Sequence, residues 1–182
     1  MGRGLIFGFV AVLSGCVASS AIADGNDDNN LCYAQFRGGN DKAAVDYCTK
    51  AINSGDLSEP DLVGALINRG VAFRNLGQPK NAVVDYTLAL KHTPRDSMIY
   101  ANRANARRDL HEYDAALADA DAAVKLDPMR GANYFVRGAV EEAQGNLAAA
   151  RNDYMKALGL EPSNQDYQKQ IFALDAKKAK GD

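Results

Sequence analysis

The sequence predicts an all-α fold, a solenoid of antiparallel helical hairpins closed by a capping helix at its C-terminal end. Three observations carry that expectation. Four of the five prolines, Pro60, Pro94, Pro128 and Pro162, stand 34 residues apart. Small residues keep the same register: Gly70, Ala104 and Gly138, then Ala82, Ala116 and Ala150, then Ala89, Ala123 and Ala157. Composition agrees with a folded body, since 47% hydrophobic and 24% charged residues over 182 positions are close to the average for soluble domains. A period of this length marks stacked supersecondary units, each burying its apolar face against the next.

Further positions join the register. Tyr100 and Tyr134 share it with Leu66, Asn68-Arg69 recurs as Asn102-Arg103, and Arg137 continues the arginine series. On these residues the chain resembles the tetratricopeptide repeat, over residues 25–164 and most strongly over 63–164. The resemblance implies a right-handed superhelix whose repeats each pair a helix A with an antiparallel helix B. Helix A is expected at 64–76, 98–110 and 132–144, and helix B at 79–91, 113–125 and 147–159, within repeats 63–96, 97–130 and 131–164. Local signals agree. Gly77 and Gly145 stand where a left-handed residue closes helix A, Pro79 stands at the first turn of helix B, and the periodic prolines end helix B, as in Leu126-Asp127-Pro128. Gly70, Ala82 and Ala89 with their equivalents let the two helices approach, while Leu66, Phe73 and Tyr86 fill the space between repeats.

Residues 25–62 read as a divergent first hairpin. Ala44-Val45-Asp46-Tyr47 parallels the segment from Ala82 to Tyr86, and Gly39 parallels Gly77 and Gly145, but the interval from Ala44 to Ala82 is 38 residues. Four extra residues are therefore expected in the connection 53–59, with a short helix A at 30–37. At the other end Tyr167, Ile171 and Leu174 fall on one helical face, so residues 165–182 are expected to form a capping helix with a fraying tail from Lys177.

Residues 1–23 read as a secretory leader: Arg3, an apolar run at 5–12, then small residues. The run is shorter than the roughly 20 residues that span a bilayer, so no transmembrane segment is expected. Two processing sites fit. Cleavage after Ala21-Ile22-Ala23 would release a soluble periplasmic chain beginning at Asp24. Leu13-Ser14-Gly15-Cys16 resembles the bacterial lipobox, and cleavage before Cys16 would remove residues 1–15 and lipidate that cysteine, leaving a membrane-anchored lipoprotein that faces the periplasm. In the repeat register Cys32 and Cys48 face each other across the first hairpin, and an oxidising compartment favours a disulfide between them. A loop of this size would contribute about 3 kcal/mol. Two buried thiols are the alternative, and a metal site lacks two further ligands.

Chemistry-bearing constellations are missing from the sequence. His92 and His111 share no helical face, no glycine-rich phosphate loop or nucleophile elbow occurs, and acids such as Asp114, Asp119, Asp121 and Glu141-Glu142 read as solvated helix faces. No catalytic residue, cofactor or metal is expected. A formal charge of −2 without a basic stripe gives no reason to expect nucleic acid.

Function then falls on the concave face that helix A lines in this family. By the resemblance that face holds Tyr33, Phe36 and Arg37, then Ile67, Asn68, Val71, Arg74 and Asn75, then Met98, Asn102, Asn105 and Arg108, then Phe135, Ala139 and Glu142. Apolar groups beside Arg and Asn suit a peptide groove, because Arg pairs a carboxylate bidentately and Asn bonds an extended backbone. The alternative for Asn68 and Asn102 is bonding to neighbouring helices. The carboxylate clamp of chaperone-binding members is not matched: Asn68 and Asn102 fit its central Asn, but Asn29 and Tyr33, or Ile67 and Val71 in the other frame, replace its first Lys and Asn. Ala132 and Val136 replace its last Lys and Arg. The sequence thus points to a non-enzymatic adaptor in the cell envelope that binds a protein or peptide. An RNA-reading helical-pair protein is opposed by the 34-residue period, and a small-ligand receptor would need a deep pocket with converging polar groups.

Overall fold

A computed structural model describes residues 25–179, so the leader, Cys16 and both processing sites lie outside the described residues. Among the described residues nine helices follow one another without a strand: α1 Gly25–Arg37, α2 Asp41–Ser54, α3 Glu59–Asn75, α4 Pro79–His92, α5 Ser97–Asp109, α6 Tyr113–Leu126, α7 Gly131–Ala143, α8 Leu147–Leu160 and α9 Gln165–Ala179. Odd and even members pair as four hairpins, and α9 closes the stack.

Each hairpin turns through three residues, whose middle one is left-handed: Gly39, Gly77 and Gly145 have φ of 72°, 72° and 87°. The third hairpin puts His111 there at φ 61°, a conformation costly for a residue with a Cβ. Its ring nitrogen lies 2.6 Å from the Tyr113 hydroxyl. The chain leaves α4, α6 and α8 through Thr93, Asp127 and Glu161, each followed by a periodic proline that cannot continue the helix.

Two expectations for the first repeat need correction. The helix A there is not short: α1 runs 13 residues from Gly25, with Asp27 and Asp28 in its first turn, where acids favour a helix N-terminus. Nor do the four extra residues sit in the connection. The links 55–58 and 93–96 are equal in length, α2 and α4 are each 14 residues, and the surplus is an added turn on α3, which runs 17 residues against 13 in α5 and α7. The cause is local. Ser58 accepts from the Asp61 amide as an N-cap, with Pro60 and two acids in the first turn, and together they start α3 one turn early. Pro60 therefore opens a helix where its three periodic counterparts follow one, and the repeat boundary falls at 58/59 instead of 62/63. At the far end α9 stays helical to Ala179, beyond Lys177.

Two ladders of contacts join residues 16 apart. At one level Arg69, Arg103 and Arg137 on the odd helices each donate two bonds to a buried carboxylate on the even helix, Asp85, Asp119 and Asp153, at 2.7–2.8 Å. Each arginine also reaches back to the preceding hairpin, to Thr49, Thr87 and Asp121 at 3.1, 3.1 and 3.0 Å. Bidentate, charge-assisted bonds of this kind fix orientation as well as distance. One residue further along, Gly70 and Gly138 lie against the rings of Tyr86 and Tyr154, and Ala104 occupies the same position opposite Ala120. In the first hairpin this position is a disulfide between Cys32 and Cys48.

The capping helix buries Tyr167, Ile171 and Leu174. Ile171 and Leu174 join a cluster with Ala150 and Tyr154, flanked by Phe135, Leu147 and Leu158, and Arg151 of α8 holds Asp175 of α9 at 2.7 Å.

Candidate functional site

Curvature follows from which helices touch. Neighbouring odd helices contact one another, α1 with α3, α3 with α5 and α5 with α7, while the even helices make no comparable contact among themselves. The stack therefore bends with the odd helices inside, and their inward side chains line one trough.

The asparagines are the clearest feature of that trough. Asn30, Asn68 and Asn102 stand at equivalent positions on α1, α3 and α5, and none of their side chains has a hydrogen-bond partner among the described residues, nor does Asn105. They do not serve to bond neighbouring helices. An amide left partially accessible without an internal partner is free to donate and accept at once. Between α1 and α3 the trough deepens into a pocket of about 230 Å³, where Asn29, Asn30 and Tyr33 face Asp61, Gly64 and Asn68. Tyr33 is 54% exposed, and its hydroxyl accepts from Arg37, whose guanidinium lies 5.7 Å from the ring centroid.

A charged cluster lies further along. Arg74 of α3 donates through Nε to Asp109 at 2.6 Å, and Arg108 reaches the other oxygen of the same carboxylate at 3.3 Å. Two guanidiniums thus share one carboxylate, which leaves one positive charge in excess. Asn75 is turned to the Asp41 carboxylate at 3.2 Å. Ile67 and Val71 are half buried against the core between α3 and α4, and Met98 stands exposed on α5.

The fourth repeat behaves differently from the sequence reading. Phe135 stacks on Tyr167 of the capping helix with ring centroids 4.9 Å apart, and its neighbour Ala139 packs into the same cluster. Glu142 accepts from the Tyr154 hydroxyl at 2.8 Å and from Gln170 at 2.9 Å. Burial, and then that bond to Glu142, push the Tyr154 phenol above its ordinary range. These residues seat α9, so the open trough belongs to α1, α3 and α5.

Among the acids read as solvated, Asp119 needs correction: it is 4% exposed and holds both Arg103 and Arg107, and Glu142 is engaged as above, whereas Asp121 pairs with Arg137 yet stays exposed. The missed signal was present as an interval, because an aspartate follows each periodic arginine by 16 residues. Among the described residues no group of three or more His, Cys, Asp or Glu side chains could hold a metal ion, and no helix is long and apolar enough to cross a membrane.

A curved stack of like hairpins with an open inner trough defines a helical-repeat protein. The protein is a tetratricopeptide-repeat protein: residues 132–164 match the tetratricopeptide repeat family profile, and the same hairpin recurs along the stack. It is 40% identical over 83 residues, 46% of this chain and 24% of the relative, to small glutamine-rich tetratricopeptide repeat-containing protein 2 of Saccharomyces cerevisiae. It is 34% identical over 111 residues, 61% of this chain and 19% of the relative, to the Hsp70-Hsp90 organizing protein of Triticum aestivum. The chain thus spans a quarter or less of these curated relatives. Among solved structures, the first repeat domain of Spaghetti (RPAP3) bound to the HSP90 peptide SRMEEVD superposes with a TM-score of 0.59 at 27% identity, covering 64% of this chain and 93% of that one. The fold alone is shared with MamA 41-end from Desulfovibrio magneticus RS-1, at a TM-score of 0.70 and 21% identity over 85% of each chain.

Proposed function

We propose that this protein is a non-enzymatic scaffold of the bacterial cell envelope that holds an extended peptide segment of a partner protein in the trough of α1, α3 and α5. The carrying observation is the run of amides at Asn30, Asn68 and Asn102, one on each of three neighbouring trough helices, whose side chains have no hydrogen-bond partner among the described residues and can bond the backbone of an extended chain. Support comes from the solved relative of the same fold that carries a peptide. The two arginines at Asp109 favour an acidic side chain on the peptide, which would compete for guanidiniums already in place. A C-terminal carboxylate clamp is not part of this reading, because Asn29 and Tyr33 stand in place of its first Lys and Asn, and Ala132 and Val136 in place of its last Lys and Arg. The envelope setting rests on the leader at 1–23, with anchoring through Cys16 as the second form.

The test is binding of a library of acidic peptides to the mature chain, followed by anisotropy, with Arg74→Ala/Arg108→Ala beside the parent. Loss of affinity by a few kcal/mol with unchanged helicity is expected if both arginines act as binding hot spots. Parental affinity in that variant, with capture abolished by substitutions at Val84 and Leu88 on the outer face of α4, would sink the trough. Intact mass of the N-terminus decides between Asp24 and a lipidated Cys16.

A further inference from the structure

The first hairpin lacks both ladders that tie the others. At the level of the arginine–aspartate pairs it has Leu31 and Tyr47, and among the described residues no ion pair joins α1 to α2. At the level of the glycine–tyrosine contacts it has the Cys32–Cys48 bond. Cys32 is the only side chain of α1 that is fully buried, the other buried residue being Gly25, whereas α3 buries Val63, Ala65, Leu66 and Ala72 besides Gly70. The two sulfurs also carry the contact onward, since they cluster with Ala65 of α3. A helix of 13 residues has little stability by itself. α1 packs on α2 and α3 with almost no buried side chain of its own, so its place leans chiefly on the covalent bond, and the pocket formed by Asn29, Asn30 and Tyr33 depends on that place.

We propose that the Cys32–Cys48 bond is a redox latch on the trough: closed, it completes the pocket between α1 and α3, and opened by an external dithiol it releases α1 while hairpins two to four stay folded. The exchange breaks the Sγ–Sγ bond and forms two thiols. The dithiol gives up two electrons and two protons and ends as a disulfide. Both sulfurs are fully buried, so attack waits on opening of α1, the terminal helix of the described stack. The inference rests on the trough being the binding surface for its functional meaning, but its structural part stands apart from that reading.

Hydrogen exchange of the full chain, oxidised and after dithiothreitol, tests it without any ligand. Reduction should lower protection of the α1 amides at least tenfold and expose the Arg37 bond to trypsin, while amides of α5 to α8 keep their protection. Cys32→Ala/Cys48→Ala should behave as the reduced chain without reductant. Leu31→Arg/Cys32→Gly/Tyr47→Asp/Cys48→Tyr, which installs the other hairpins' own ties, should protect α1 whether or not reductant is present. Unchanged α1 protection in both the reduced chain and the double alanine variant overturns the latch, and so does a uniform loss across all helices, which would make the bond a global staple. Arg74 and Arg108 lie outside this experiment, so a failed peptide test and a failed latch remain distinguishable.

Discussion

The ring of Tyr86 occupies the space that a side chain at Gly70 would need: a Cβ there would stand 2.7 Å from ring carbon Cε1. Gly138 and Tyr154 repeat the relationship at 2.8 Å, and the third hairpin meets the same constraint with Ala104 and Ala120. The arrangement predicts strong coupling. Gly70→Ala alone should cost about 1–3 kcal/mol by overpacking. Tyr86→Ala alone should cost more, through the cavity it leaves. The double variant, which copies the third hairpin, should be at least about 1 kcal/mol more stable than the sum of the two losses predicts. Urea denaturation measures all three, and strict additivity would mean that the ring does not fill this space.

Asp119 is the most heavily used acid of the arginine ladder, since it accepts from Arg103 at 2.8 and 2.7 Å and from Arg107 at 2.8 Å. Asp119→Ala leaves two partly buried guanidiniums without their carboxylate, and the expected loss is about 3–5 kcal/mol. Asp175→Ala, which removes the exposed partner of Arg151, should shift the unfolding midpoint far less. Equal shifts in the two variants would refute the ranking by burial.

In the trough Asp109 restrains Arg74 and Arg108 together. Asp109→Asn keeps the shape and removes the competing charge, so an acidic peptide should bind roughly 2- to 5-fold tighter, the worth of an exposed pair. The gain should shrink as salt rises. Isothermal titration at low and high ionic strength reads both effects, and weaker binding at low salt would count against the acidic-ligand reading.

Substitution at the third turn should stabilise. His111 holds φ 61°, where the other hairpins have glycine, and among the described residues contact of its ring with Tyr113 compensates. His111→Gly relieves the left-handed strain and loses an exposed bond, for a net gain of about 0.5–1 kcal/mol. A lower melting temperature in the variant would show that the ring contact outweighs the backbone.

Alkaline pH should unfold the stack from within. Burial pushes the phenols of Tyr86 and Tyr154 above their ordinary value and carries that of Tyr167 up to about 12. A raised phenol favours the neutral form in the fold, so the stability it lends is fully present below the unfolded value near 10 and is lost as pH rises through the folded values. The urea midpoint should fall between pH 10 and 12 in step with phenolate absorbance. A midpoint that stays level across that range would contradict the burial of these rings.

The sequence by itself determined the helical hairpin, its period and its turns, because these depend on neighbours along the chain. A proline after Leu126-Asp127, a glycine at 77 or 145 and alanines one period apart act within a few residues of where they stand. Register brought Cys32 and Cys48 face to face, while the expectation of a bond between them also leaned on an oxidising compartment. What escaped the sequence depends on elements meeting in space. The added turn of α3 came from a serine cap outweighing the period. The burial of Asp119 came from two arginines on another helix. Phe135 and Glu142 lie at trough positions by register, yet α9 packs over them, and whether a face is open or covered is a property of the whole stack. The tertiary structure alone also decided that Asn30, Asn68 and Asn102 are left without side-chain partners among the described residues, because an amide's freedom is set by how far away other polar groups come to rest.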